Sequence, residues 1–228
     1  MIQAKVARRS FSEGGPPAQS PKPQALSHDP HPRPVLRSIC VFCGSSPGAR
    51  LEYGNSAAAL GRLLATRYVR LIYGGARVGL MRTIADAVLG AGGDVTGVIP
   101  EALRTREIAH TDLDDLRIVP SMHDRKALMS DLADAFLALP GGAGTLEEFF
   151  EVWTWAQLGI HRKPCGLLNV GGYFDGLLTF LDHAVQERFL RLEHRAMVLV
   201  DDNAERLLHR LETFRPPDVP KWIDLDQA

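Results

Sequence analysis

Ala135-Phe136-Leu137-Ala138-Leu139-Pro140-Gly141-Gly142-Ala143-Gly144-Thr145-Leu146-Glu147-Glu148-Phe149-Phe150 is the stretch that decides the fold. Five apolar residues read as a buried strand, and a glycine-rich turn follows. Thr145–Leu158 then reads as a helix, with Phe149, Phe150, Trp153 and Ala156 at core spacing. A strand feeding a helix through such a turn is one half of a parallel α/β unit. Glycines let the backbone approach a ligand closely, and the orphan N–H groups of a helix start favour an anion. A phosphate is the natural guest.

The same alternation extends both ways. Strands are expected at Ser38–Cys43, Leu71–Tyr73, Asp94–Ile99 and Leu116–Val119, then at Cys165–Val170 and Met197–Val200. Helices are expected at Glu52–Arg67, Gly79–Leu89, Asp124–Leu132, Tyr173–Glu187 and Ala204–Glu212. Apolar strands alternating with helices imply a doubly wound parallel sheet covered on both faces. In such sheets ligands bind outside the carboxyl ends of the strands. Gly44-Ser45-Ser46, Gly74-Gly75 and Gly141–Gly144 all follow predicted strands, so they are expected to meet in one crevice.

The glycine turn is neither of two familiar phosphate loops. No Gly-Lys-Ser/Thr follows, which excludes a Walker A loop. Gly142 and Gly144 supply two glycines of a dinucleotide fingerprint, but Glu147 stands where the third belongs. Glu148 has two readings. It can return the N-cap bond in a Thr145-Leu146-Glu147-Glu148 capping box, or it can face a ligand.

Composition narrows the classes. The chain has 228 residues, 45% of them hydrophobic, and a net charge of −1. One α/β domain fits this length, and bulk charge points to no nucleic-acid or membrane partner. Three cysteines suggest a reducing cytoplasm rather than a disulfide framework. Cys40 and Cys43 form a C-x-x-C match, but on a strand they point to opposite faces, so they read as structural. Seven of the fifteen prolines precede Val35, and within residues 1–37 Lys5, Arg8, Arg9, Lys22, Arg33 and Arg37 face only Glu13 and Asp29. Residues 1–37 are therefore read as a disordered basic tail, with a transit peptide as the alternative, and 38–228 as the domain.

Several motifs together resemble one family. Pro140–Glu148 matches the PGGxGTxxE signature of the LOG (Lonely Guy) family, cytokinin riboside 5′-monophosphate phosphoribohydrolases often labelled lysine decarboxylases. Met122-His123-Asp124-Arg125-Lys126 resembles its MHxRK element, and Trp155–His161 its WAQLGIH segment. The first two loops, Cys43–Ser46 and Tyr73–Gly75, fit as well. The likeness runs from about Ser38 to about Asp202 and leaves out the tail.

The resemblance implies a Rossmann-like homodimer that needs no metal or organic cofactor and acts on a purine nucleoside 5′-monophosphate. It implies that Arg125 and Glu148 carry the chemistry. Gly142, Gly144 and Thr145 would hold the 5′-phosphate, and Lys126, Glu107 and Thr154 would contact nucleotide. With their motif neighbours Gly44, Ser45, Gly74, Gly75, Met122, Gly141, Ala143, Leu146 and Glu147, these form the candidate substrate site. Arg125 is always charged, so its expected part is to bind and orient rather than to donate a proton. A cofactor carrier on the same scaffold is the competing class, because fold alone does not fix function.

Overall fold

The computed structural model describes residues 36–104 and 109–217. The expected tail therefore lies almost wholly outside the described residues, as do Glu107 and residues 218–228.

Seven strands form one parallel sheet. They are β1 (Ser38–Phe42), β2 (Arg70–Tyr73), β3 (Val95–Pro100), β4 (Asp115–Val119), β5 (Ala135–Ala138), β6 (Cys165–Leu168) and β7 (Val198–Asp201). Their spatial order is β4-β3-β2-β1-β5-β6-β7. All six pairings are parallel, for example Val41 against Leu137 and Cys40 against Ile72. The order reverses between β1 and β5, which makes their carboxyl ends the switch point where a crevice opens.

Among the described residues eight α-helices accompany the sheet: α1 (Leu51–Thr66), α2 (Gly79–Gly90), α3 (Glu101–Arg104), α4 (Met122–Leu132), α5 (Ala143–Gln157), α6 (Asp175–Gln186), α7 (Leu192–Ala196) and α8 (Ala204–Thr213). One face of the sheet packs on α1, α2 and α8 through residues such as Leu60, Ile84 and Leu207. The other face packs on α4, α5 and α6 through Met129, Phe149, Trp153 and Leu181. The alternation along β1 does this: Ile39 and Val41 belong to the first core, Cys40 and Phe42 to the second. Cys43 joins the first core, so the two cysteines do face opposite ways and neither is in a disulfide. Leu36 is buried in the first core, and the Arg37 and Ser38 amides donate to Asp134 Oδ2 at 3.0 Å.

Three local readings change. Helix α5 begins at Ala143, with Gly142 as its N-cap, two residues before the expected start. β6 ends at Leu168, because Val170–Gly172 forms a single 3-10 turn. The short helices α3 and α7 give no periodic signal at five residues or fewer. Trp153, expected in the core from its helical spacing, is buried there, and its Nε1–H donates to the His194 carbonyl at 3.1 Å.

Candidate active site

At the switch point the carboxyl ends of β1, β2 and β5 meet the starts of α2, α4 and α5. The Gly44 amide donates to the Pro140 carbonyl at 3.0 Å, and the Leu80 amide donates to Gly44 O at 3.0 Å. The first loop is thus tied to both neighbouring turns. Beside it lies a cavity of about 320 Å³. Its walls include Gly44, Ser45, Gly74, Met122, Arg125, Gly142, Ala143, Gly144, Thr145, Glu147 and Glu148.

Helix α5 enters this cavity by its N-terminus. No side chain caps the Gly142 position, so the amides of Ala143, Gly144 and Thr145 have no partner within the helix. Thr145 is buried at the third position of the helix. The capping-box reading of Glu148 therefore falls, since Thr145 is not the N-cap and Glu148, six residues past the Gly142 N-cap, lies in the second turn rather than at the box position. Glu148 turns to Arg125 instead, at 3.6 Å from Oε1 to Nη2.

Arg125 is brought inward by α4. Ser121 caps that helix, accepting from the Asp124 amide at 3.1 Å, and its hydroxyl also binds the Asp124 carboxylate at 2.7 Å. That engagement leaves Asp124 at the helix cap while Arg125, one position on, points to the sheet. The Arg125 side chain is only 7% exposed and Glu148 13%. Yet the guanidinium is held loosely. Its Nη2 reaches Gly74 O at 3.4 Å, Nη1 reaches the Met122 sulfur at 3.7 Å, and the buried Nε has no hydrogen-bond partner. A buried ion pair serving stability needs tight, bidentate geometry to offset its desolvation. This pair lacks that geometry and faces a cavity.

Gly74 makes the position of Arg125 possible. A Cβ there would overlap the Arg125 guanidinium and press on the end of Met81. Cys43 lines the same cavity, but burial and then the Glu148 charge hold its thiol well above the usual range. It is an inert wall rather than a nucleophile.

Other expected residues lie beside the cavity rather than on it. Lys126 Nζ binds Glu147 at 2.6 Å and Glu151 at 3.0 Å. Partial burial pulls its pKa down, but the two carboxylates outweigh this and the net shift is upward. A Schiff-base lysine must instead be neutral near pH 7, so Lys126 is poorly suited to that chemistry. Thr154 continues the stripe of Glu147 and Glu151 along α5, about two turns from the cavity mouth. Leu146 packs at the edge of the second core. Gly75 accepts from the His110 amide at 2.9 Å, away from the cavity. Gly141 borders a second cavity, of about 260 Å³, which shares Gly44, Ser45 and Gly142 with the first. Met81 and Leu103 form apolar wall that sequence reading missed. Among the described residues no cluster of three His, Cys, Asp or Glu is placed to hold a metal ion, and no helix is long and apolar enough to cross a membrane.

A family model described as "Possible lysine decarboxylase" matches residues 81–211. The cytokinin riboside 5′-monophosphate phosphoribohydrolase of Rhodococcoides fascians is 52% identical over 174 residues, which is 76% of this chain and 88% of that protein. The enzyme of the same name called LOG7 in Arabidopsis thaliana is 51% identical over 181 residues, 79% of this chain and 83% of its own length. The chain belongs to the LOG family. In this LOG-family chain the matched segment runs from α2 to α8 and contains Arg125 and the whole glycine turn. Solved structures extend the likeness of fold. The molybdenum cofactor binding protein of Rippkaea orientalis superposes with a TM-score of 0.60 at 21% identity, covering 78% of this LOG-family chain and 96% of that one. The molybdenum cofactor carrier protein of Chlamydomonas reinhardtii gives 0.56 at 20%, covering 76% and 99%.

Proposed function

We propose that this protein hydrolyses the N-glycosidic bond of a purine riboside 5′-monophosphate, cytokinin ribosides included, giving free base and ribose 5-phosphate. The observation that carries this reading is the buried Arg125–Glu148 pair, which faces the same cavity as the open amides of α5. The relatives' names point to the same reaction. A pure binding site gains nothing from a carboxylate set against a phosphate.

The chemistry follows from the placement. The 5′-phosphate sits on the amides of Ala143, Gly144 and Thr145, where the helix dipole adds to the hydrogen bonds. From Gly144 to Glu148 the helix rises about 6 Å, comparable with the width of a ribose. Glu148 then lies beside C1′. Breaking C1′–N9 leaves the electron pair on the base and positive charge on the ribose, as in glycoside hydrolysis. An ionised Glu148 stabilises that cation and accepts a proton from the water whose oxygen bonds to C1′. The departing base takes up a proton from solvent. Arg125 pairs with Glu148, holds it in place and supplies its open N–H groups to substrate. Gly44, Ser45, Gly74 and Met122 wall the ribose and base, and Lys126 with Glu147 fixes the α4–α5 spacing. Glu107 and Thr154 are further candidates for nucleotide contact. A homodimer belongs to the same reading.

The test is a panel of nucleoside 5′-monophosphates, AMP and N6-prenylated AMP among them, with free base measured by chromatography. Base release from at least one purine monophosphate, and none from the corresponding nucleosides, supports the proposal. Tight binding without release of any base would favour a nucleotide-binding protein instead.

A further inference from the structure

The peptide between Gly141 and Gly142 joins two residues without side chains, so no Cβ of its own fixes which way it faces, although Thr145 and the Gly44 amide lie close to Gly141. Its orientation matters. Flipped, it would turn a carbonyl oxygen, rather than an N–H, towards whatever anion binds at the start of α5. One contact fixes it: the Tyr173 hydroxyl donates to Gly141 O at 2.6 Å, from the side of the second cavity. No cis peptide occurs among the described residues, so the C=O and N–H of this unit point in opposite directions. With the carbonyl captured by Tyr173, the Gly142 N–H is turned away from Tyr173, and Gly142 lines the 320 Å³ cavity as well as the second one.

The loop that delivers Tyr173 is itself built firmly. Asn169 Oδ1 accepts from the Phe174 amide at 2.8 Å, and Asn169 Nδ2 donates to Asp175 at 2.7 Å. The Tyr173 ring stands edge-on to Tyr53 at 5.6 Å and to Phe174 at 5.0 Å. The ring is therefore held by packing, and the hydroxyl is left to hold the turn.

The geometry points to Tyr173 as a positioning residue that locks the Gly141–Gly142 peptide with its N–H towards the bound phosphate. It rests on the proposed phosphate site at α5, and it adds a fourth amide to the three of the first helical turn. It also explains why a tyrosine on the opposite side of the turn, 32 residues away in sequence, belongs to the site.

Tyr173→Phe keeps the ring and its edge contacts while removing the hydroxyl, so the thermal midpoint is expected to stay within a few degrees. Calorimetric titration with ribose 5-phosphate reads binding without needing turnover. We expect about tenfold weaker binding in the variant. With AMP as substrate, KM rises by a similar factor and kcat changes less. Adenosine, which has no phosphate, binds both proteins equally. Unchanged affinity for ribose 5-phosphate overturns the inference, and so does an equal loss for adenosine, which would mark a general packing role. If the unsubstituted protein binds no ribose 5-phosphate, the phosphate site and the inference fall together. If it binds ribose 5-phosphate but releases no base from AMP, only the catalytic proposal falls.

Discussion

Neighbouring side chains on α4 divide the work at the site. Arg125 and Lys126 are adjacent, and about 100° of helical rotation separates them. One reaches Glu148 at the cavity and the other reaches Glu147 and Glu151 outside it. Residue type and spacing alone do not say which does which, because that depends on where α5 lies against α4; only the family resemblance singled out Arg125. The pairing with Arg125 displaces the local capping reading of Glu148 and agrees with the orienting part expected of Arg125. Gly74 provides a test at this scale. In Gly74→Ala the new methyl displaces the guanidinium, while the nearer end of Met81 can move. Base release should fall at least tenfold, with a change in thermal midpoint of no more than a few degrees, since the loss is one of alignment rather than of core. Near-normal activity in a folded Gly74→Ala protein would mean that Arg125 need not be where it is.

Among the elements, strand–turn–helix units with strong apolar spacing were legible and fell within a residue or two of their places. The start of α5 was missed by two residues because a glycine N-cap offers no side-chain signal, whereas Thr145 imitates one. Tyr173 was read only as a helix start, since its bond to Gly141 joins distant parts of the chain. The end of α5 has its own device. His161 Nδ1 accepts from the Lys163 amide at 3.1 Å, so Nε2 carries the proton and donates to the Val152 carbonyl at 2.9 Å. The ring is thus needed neutral. Burial lowers its pKa, the Val152 bond opposes this, and the Lys163 charge lowers it further. A histidine with a depressed folded pKa contributes stability above its unfolded pKa of about 6.5, and that stability is lost as pH falls towards the folded value. The thermal midpoint should therefore drop between pH 7.5 and 5.5. His161→Gln should begin lower and show a smaller drop. Part of the slope should persist, because burial also depresses His110. An identical drop in both proteins would remove His161 from the account.

Across the whole molecule, the strand order places the function. Reversal between β1 and β5 opens the sheet where three glycine turns converge, and sequence order alone predicted that convergence though not the strand order itself. The same scaffold serves proteins named as cofactor carriers at about 20% identity, so the sheet does not choose the chemistry. In the proposed reaction the choice rests on Glu148 beside Arg125. The most direct measurement compares the unsubstituted protein with Glu148→Gln, following adenine and ribose 5-phosphate from AMP and, in parallel, AMP binding by calorimetry. The account predicts one adenine per ribose 5-phosphate from the unsubstituted protein, and a loss of at least a hundredfold in Glu148→Gln with AMP affinity within a few fold. Turnover by Glu148→Gln close to that of the unsubstituted protein would contradict it.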